Sequence, residues 1–585
     1  MPLSALTGQT KRAYLFWLVA TLAFAAYYGV LAVHQAFESP YVIQDDARQH
    51  IFWMQRYVDA SLFPDDLIAD YFQGVAPLGY RLLYKTATLV GLQPAFLGKI
   101  LPPILAFITI FYCYQVSLTL FAIPFAAFIS SVSFNQSLWH SSELASATPR
   151  AFLYPLFLAF LYYLLLNRNR VCLAVIALEA LFYPHVALIS LGILTVRLVR
   201  WRDRKLSFSK KSADYWSLGA SLLLAGGIIL FTRSSFDFGE VVTRSEALRM
   251  PEFQADGRSA FFTPGLQFWL YGRSGILHDR CFTPATLVAG ALLPVLLWLP
   301  ANQSYKRVVS SKVGLLLQVL LVSFGLYALS HLLLFELHLP NRYTSHTLRV
   351  VIALASGMGW LILLDNFLRV GRAISSFLST KISSVRFAKF TSFAAQGASI
   401  CVLALFLGGV ALYPTLFFEQ FPKVSYDNLS PGKPIYDYLL GQPKDAKIAS
   451  LSNEASNIPT FAARTVLVSP EHALPYHKGY YSQIQQRISD LISAQYTTEP
   501  EVLLQTVERY GIDYWLVDKN AFQTAYVAEN KWLMQFQPAA AEAVQTLEAG
   551  EQTILERSLS ACNVIETENW LLLERSCIQQ FVNAF

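Results

Sequence analysis

Long apolar runs alternate with short polar stretches along most of the chain, and the pattern changes character after residue 418. Apolar residues run almost unbroken over 13–33, 97–118, 121–134 and 151–166. The longer runs reach the roughly 20 residues that cross about 30 Å of hydrocarbon. They are continuous rather than alternating, so they predict helices and not barrel strands. The next stretch, VCLAVIALEALFYPHVALISLGILTVRLVRWRDRK, has basic clusters at both ends. One crossing cannot leave both ends on the same side. Proline disrupts the helical ladder, so two short helices meeting at Tyr183-Pro184-His185 are predicted. Further helices are expected over 215–231, 284–299, 313–334, 350–364 and 393–416, giving about eleven crossings in all.

The basic residues set an orientation. Lys11 and Arg12, the NRNR cluster at 167–170, YKR at 305–307 and the loop carrying Arg369, Arg372, Lys381, Arg386 and Lys389 all fall on one side of this path. The positive-inside rule makes that side cytoplasmic, so the amino terminus lies inside. A transmembrane module over 1–418 then has a first outer loop at 34–95 and another at 232–283. The first holds seven acids against four bases. Residues 419–585 read as an extracytoplasmic α/β domain. Short apolar strands (KIASLS, TVLVSP, IDYWLVD, NWLLLE) are separated there by helical stretches such as PEVLLQTVERYG. No GxGxxG or Walker loop is present, so nucleotide binding is not expected.

Composition narrows the class. The chain has 585 residues, 54% of them hydrophobic and 14% charged, with a mean hydropathy of +0.39. The fold class expected is an α-helical multi-pass membrane protein with a small C-terminal α/β domain, residing in a cytoplasmic (inner) membrane. The formal charge of +6 comes from short loops between apolar runs and does not point to nucleic acid. Six cysteines form no CxxC pair, which disfavours metal clusters. Cys562 and Cys577 can pair if their region faces an oxidising space. The first apolar run is long enough to span, and no cleavable leader is expected. No internal repeat is seen, which counts against an inverted-repeat transporter.

Candidate chemistry starts at QDDARQHIFWMQRY, residues 44–57. Asp45 and Asp46 are expected outside, shortly beyond the first helix. The stretch after them reads as an interfacial helix, with Ile51, Phe52, Met54 and Tyr57 or Val58 meeting the bilayer and Arg48, Gln49 and Arg56 turned away. Asp is also a favoured N-cap, which explains one of the two acids without any function. A carboxylate at the boundary can take the proton of an acceptor hydroxyl, while Arg or Lys holds a departing phosphate.

The long first outer loop with its acidic pair, TPRAFLYPL at 148–156, the FYPH break and the outer C-terminal domain resemble the GT-C superfamily of membrane glycosyltransferases, in a bacterial-type form. The resemblance implies a sugar donor on polyprenyl phosphate, inverting transfer at the outer face, and Asp45 or Asp46 as base. The acceptor it implies is a hydroxyl on some glycan, lipid or protein, with membrane lipids as surroundings. No WWDYG-type motif occurs, which disfavours transfer to asparagine. Arg150 and Arg342 are candidates for the phosphate, with Tyr343 and His346 beside the latter. Arg258 is the pick from the six arginines of the 232–283 loop. His50, one turn after Asp46, is placed to hydrogen-bond it. Glu179 lies within an apolar helix, where acids are costly. Tyr476 and His477, in PYHKGYYSQIQQR, are candidates to cover the site. A divalent cation is compatible with adjacent carboxylates but not required by them. A lipid or polysaccharide transporter, or a non-catalytic assembly partner, is the rival reading. A transporter needs polar groups near the midplane of several helices, whereas here they look sparse.

Overall fold

The computed structural model describes residues 10–584 apart from 203–204, 235–236, 278–280, 381–384 and 425–430. The first helix, Lys11–Ala36, is opened by Thr10, whose side chain accepts from the Ala13 N–H at 3.1 Å. That satisfies one of the donors a helix start leaves free. Pro94–Phe121 begins on a proline, which a first helical turn tolerates, and carries Pro102 and Pro103 inside. Asn169–Phe182 and Pro184–Leu198 meet at Tyr183, so the expected break is present.

Six helices among the described residues are long and apolar enough to cross a membrane. Ala285–Trp298 and Pro300–Lys306, bent by 98°, add a seventh if taken as one span. The chain is a multi-pass membrane protein. The expected eleven crossings are not established, because several apolar helices, such as Pro149–Leu165 and Pro184–Leu198, are short.

Backbones approach closely at the centre. A side chain at Gly357 would meet the Ala126 carbonyl oxygen at 1.8 Å, and one at Gly290 would meet that of Ile352 at 2.0 Å. Small residues permit such contact between helices in lipid. The expectation that polar residues are sparse in the helices is corrected here. Arg349 and Glu143 form a buried ion pair at 3.2 Å, and Asn135, Gln136 and Glu179 are buried too. Polar residues on one face of an apolar run are invisible to an average over the run.

Beyond Phe417 the chain builds a five-stranded sheet. Its strands are β3 (Lys447–Ser450), β4 (Thr465–Val466), β5 (Tyr514–Asp518), β6 (Asn563–Glu566) and β7 (Trp570–Glu574), in the order β4-β3-β5-β7-β6. The β3–β4 and β3–β5 pairs are parallel, and β5–β7 and β6–β7 antiparallel. β6 was not expected from the sequence; it is only half-buried and lacks a full apolar run. Nor was the hairpin of β1 (Val199–Arg202) and β2 (Lys205–Phe208), whose strands are basic. Cys562 and Cys577 form a disulfide, with Cα atoms 5.3 Å apart.

The interfacial-helix expectation is also corrected. Ile51, Phe52, Trp53 and Met54 are all less than 5% exposed, and Arg48 and Gln49 are buried as well. Phe52 packs edge-on to Phe63 and to His472 of the tail, at 5.3 and 5.4 Å between centroids. The apolar side chains from Ile51 to Met54 are covered by protein, while Val58 stays 49% exposed.

Candidate active site

Asp45 and Asp46 occupy the first turn of the short helix Asp45–His50. Gln44 is the N-cap residue, so neither acid caps the helix; both sit where acids complement the helix dipole. Their side chains part company. Asp45 pairs with Arg48 one turn on, and Asp46 pairs with Arg150, which rises from the 3-10 turn Pro149–Phe152. The side chains of Asp45 and Asp46 are 39% and 24% exposed, so solvent and small ligands reach both. Arg48 is itself held by the Asn457 side chain at 2.6 Å.

A second arginine stands beside the first. Arg342, at the start of the helix Asn341–Thr380, has Arg150, Arg273 and Asp46 within range of its charge. Its Nε is buried with no hydrogen-bond partner among the described residues. Arg273 is anchored through Nη1 to the Tyr476 hydroxyl at 2.9 Å. His185 and His338 lie ring to ring at 4.9 Å alongside, and burial holds His338 well below its ordinary value. Arg342 thus feels the charges of two further guanidinium groups, of which Arg150 is the one paired with Asp46, an excess of positive charge that suits an anion.

The tail closes the site from the other side. Gln49 donates to the Glu471 carboxylate and, at 3.0 Å, to its carbonyl. Arg258 binds the same carboxylate at 2.8 Å and the Pro470 carbonyl at 2.7 Å. Burial raises the Glu471 carboxyl above its ordinary range, Arg258 opposes this, and nearby Asp45 and Asp46 push it further up. The first outer loop, the 232–283 loop and the tail therefore meet at one glutamate.

The remaining candidates fall into structural places. His50 does not hydrogen-bond Asp46; its Nδ1 is buried without a partner, its ring meets Phe72 edge-on at 5.7 Å, and burial lowers it to about 4. Tyr343 donates to the Leu337 carbonyl at 2.8 Å. His346 contacts the Tyr154 hydroxyl at 3.0 Å, within the network around Arg349. Glu179 has Ser190 and Cys172 as its polar neighbours and stands apart from the aspartates. His477 meets the Tyr71 hydroxyl at 2.9 Å, and Tyr71 stacks on Tyr480 at 3.7 Å. Tyr476 and His477 thus join the tail to the outer loops. Sequence reasoning missed Glu471, Arg273, His185 and His338. The FYPH break was a usable signal for His185, while nothing local distinguishes Glu471.

No group of three or more His, Cys, Asp or Glu side chains is placed to hold a metal among the described residues. Asp45 and Asp46 are each matched by an arginine.

No protein-family model matches the chain, and no curated protein matches it in sequence. Solved structures do. The oligosaccharyltransferase of Archaeoglobus fulgidus, tethered to an acceptor peptide containing the NVT sequon, aligns with a TM-score of 0.50 and 13% identity over 90% of this chain and 72% of that one. AglB from the same organism, in complex with an inhibitory peptide and a dolichol-phosphate, aligns with a TM-score of 0.50, 14% identity and the same coverage. ArnT from Cupriavidus metallidurans aligns over 96% of this chain and 98% of that one at 12% identity; its TM-score of 0.47 carries no weight. At such identities the likeness is one of fold: this chain shares the fold of the archaeal oligosaccharyltransferase structures.

Proposed function

We infer that the chain moves a sugar from a polyprenyl-phosphate carrier to a hydroxyl acceptor at the outer face of a cytoplasmic membrane, with inversion. One observation carries this reading: Asp46 pairs with Arg150, and Arg342, whose buried Nε has no partner among the described residues, lies within electrostatic range of both. In the resting arrangement Arg150 occupies Asp46. A carrier phosphate bridging Arg342 and Arg150 offers Arg150 a second anion, which a guanidinium binds in fork geometry. Asp46 is then released to take the acceptor's proton. The acceptor oxygen bonds to the anomeric carbon as the bond from that carbon to the phosphate oxygen breaks. The proton ends on Asp46, and the phosphate leaves as an anion held by arginines. Asp45, tied to Arg48 and through it to Asn457, keeps the short helix in position.

The shared fold supports a lipid-linked donor, and a structure of that fold holds a dolichol-phosphate. The rival is a non-catalytic assembly partner, and the Asp46–Arg150 pair is what favours it: a carboxylate satisfied by its own chain is an ordinary structural ion pair. Sugar transfer from a panel of polyprenyl-phosphate sugars in proteoliposomes separates the two. Turnover that Asp46→Asn abolishes while donor binding persists supports the enzyme. Equal turnover in wild type and Asp46→Asn removes the base, and no turnover with any donor favours the rival.

A further inference from the structure

Beside the aspartates lies a cleft the mechanism above does not use. It runs between the helices Lys11–Ala36 and Pro94–Phe121 and is open to solvent at its mouth. Its walls are mostly apolar: Ala32 and Ala36 on one helix, Pro102 and Pro103 on the other, with Phe461 of the tail as a lid. Both helices are apolar enough to cross a membrane, and the cleft lies between them. Ala47 lines it, while Asp46, one residue earlier, faces Arg150.

Four polar side chains break the apolar lining: Lys99, whose Nζ donates to the Ser39 carbonyl at 3.1 Å, Thr460, whose hydroxyl donates to the Arg48 carbonyl at 3.4 Å, and Gln44 and Trp139. Gln44 is 7% exposed, and its Oε1 has no hydrogen-bond partner; Trp139 is 0% exposed, and its Nε1 has none. Both line the same cleft. A buried polar atom without a partner costs about 1–3 kcal/mol, so a native structure keeps such atoms where something else satisfies them. One group of the pair is an acceptor and the other a donor. A hydroxyl completes both at once, donating to Gln44 and accepting from Trp139. A carboxylate or a fully ionised phosphate head has no proton for Gln44, and a hydrocarbon satisfies neither.

We propose that this cleft binds a lipid-anchored alcohol, its hydroxyl-bearing head between Gln44 and Trp139 and its apolar chain along Pro102 and Pro103. Resting on the function inferred above, this ligand is the acceptor, its head held beside Asp46 at the start of the short helix that carries the base.

The test uses the full-length protein in nanodiscs with a monoacylglycerol carrying a diazirine in its chain, beside the same probe with both hydroxyls methylated. Crosslinked peptides are read by mass spectrometry. The free hydroxyl probe is expected to label segments 32–51 and 95–103 about fivefold more than its ether, the ratio one hydrogen bond of ordinary net strength gives. Gln44→Leu and Trp139→Phe are each expected to reduce that preference, and Gln44→Glu, which keeps an acceptor, to retain it. Equal labelling by the two probes in the wild type, or labelling confined to other helices, overturns the proposal. The wild-type comparison decides even where a variant does not fold. The readout is crosslinking and not turnover, so failure here leaves the donor site standing, and loss of transfer in Asp46→Asn leaves this site standing.

Discussion

Arg150 and Asp46, 104 residues apart in sequence, close an ion pair between the 3-10 turn Pro149–Phe152 and the short helix Asp45–His50. Neither is fully buried, their side chains being 19% and 24% exposed. The pair is therefore exchangeable in a way that the buried Arg349–Glu143 pair, 1% and 5% exposed, is not. A site that must alternate between an internal and an external anion needs that accessibility.

Exchangeability separates the two aspartates. Asp46→Asn is expected to lower turnover by about 10²–10⁴, the range for loss of a general base. Asp45→Asn, which loosens only the Arg48 contact, is expected to cost about tenfold or less through geometry. Initial rates in proteoliposomes at saturating donor check this, and the reverse order of the two losses would move the base to Asp45.

Arg342→Ala is expected to weaken binding of a polyprenyl phosphate by about 10- to 100-fold, since a charged hydrogen bond contributes about 1.5–3 kcal/mol. Arg342→Lys keeps the charge without the fork and is expected to fall between. Titration of the carrier phosphate without its sugar isolates this term. Unchanged affinity in Arg342→Ala would place the phosphate elsewhere.

Much of this architecture was legible in the sequence, and the failures have physical causes. The helix break at Tyr183-Pro184 followed from proline chemistry, and the apolar strands of the tail from their own residues. Ile51, Phe52 and Met54 looked lipid-facing because one segment cannot reveal that a tail more than 400 positions later covers it. The Asp46–Arg150 pair and the meeting of Gln49, Arg258 and Glu471 are tertiary facts of the same kind. Residue type flagged Arg150, Arg258 and Arg342, but only the fold divides them, giving Arg258 to the tail contact and the other two to the site.

The tail carries its own test. The Cys562–Cys577 disulfide closes a sequence separation of 15, for which chain entropy gives about 3 kcal/mol. Cys562→Ser with Cys577→Ser is expected to lower tail stability by about that amount and to speed proteolysis within 432–583. In protein alkylated before reduction, these two cysteines are expected to stay unmodified, as they would if the tail faces an oxidising space. Prompt alkylation of both would put the tail on the reducing side and reverse the proposed orientation.

Acid should loosen the junction between the tail and the first outer loop, and the sign follows from His50. Burial lowers its imidazole to about 4 from 6.5, with Asp46 opposing and Arg150 reinforcing the shift. Between those values the unfolded chain holds a proton that the folded chain does not, so stability is complete above pH 6.5 and is lost as pH falls toward 4. At 1.36 kcal/mol per pH unit, His50 alone removes about 2 kcal/mol by pH 5. His472, lowered to about 3 by burial and packed on Phe52 and Phe72, adds a loss of the same sign. Glu471 works the other way. Its raised carboxyl keeps a proton in the folded state above the ordinary carboxylate range, so its contribution is fullest at low pH and is lost as pH rises through the raised value. His50 and His472 act together against it. Thermal unfolding in detergent at pH 7.5 and pH 5 is expected to show the loss in wild type and a smaller one in His50→Gln, which has no proton to gain. An identical pH slope in both would mean that His50 is hydrated, and that the packed junction of Phe52, Phe72 and His472 is not closed in solution.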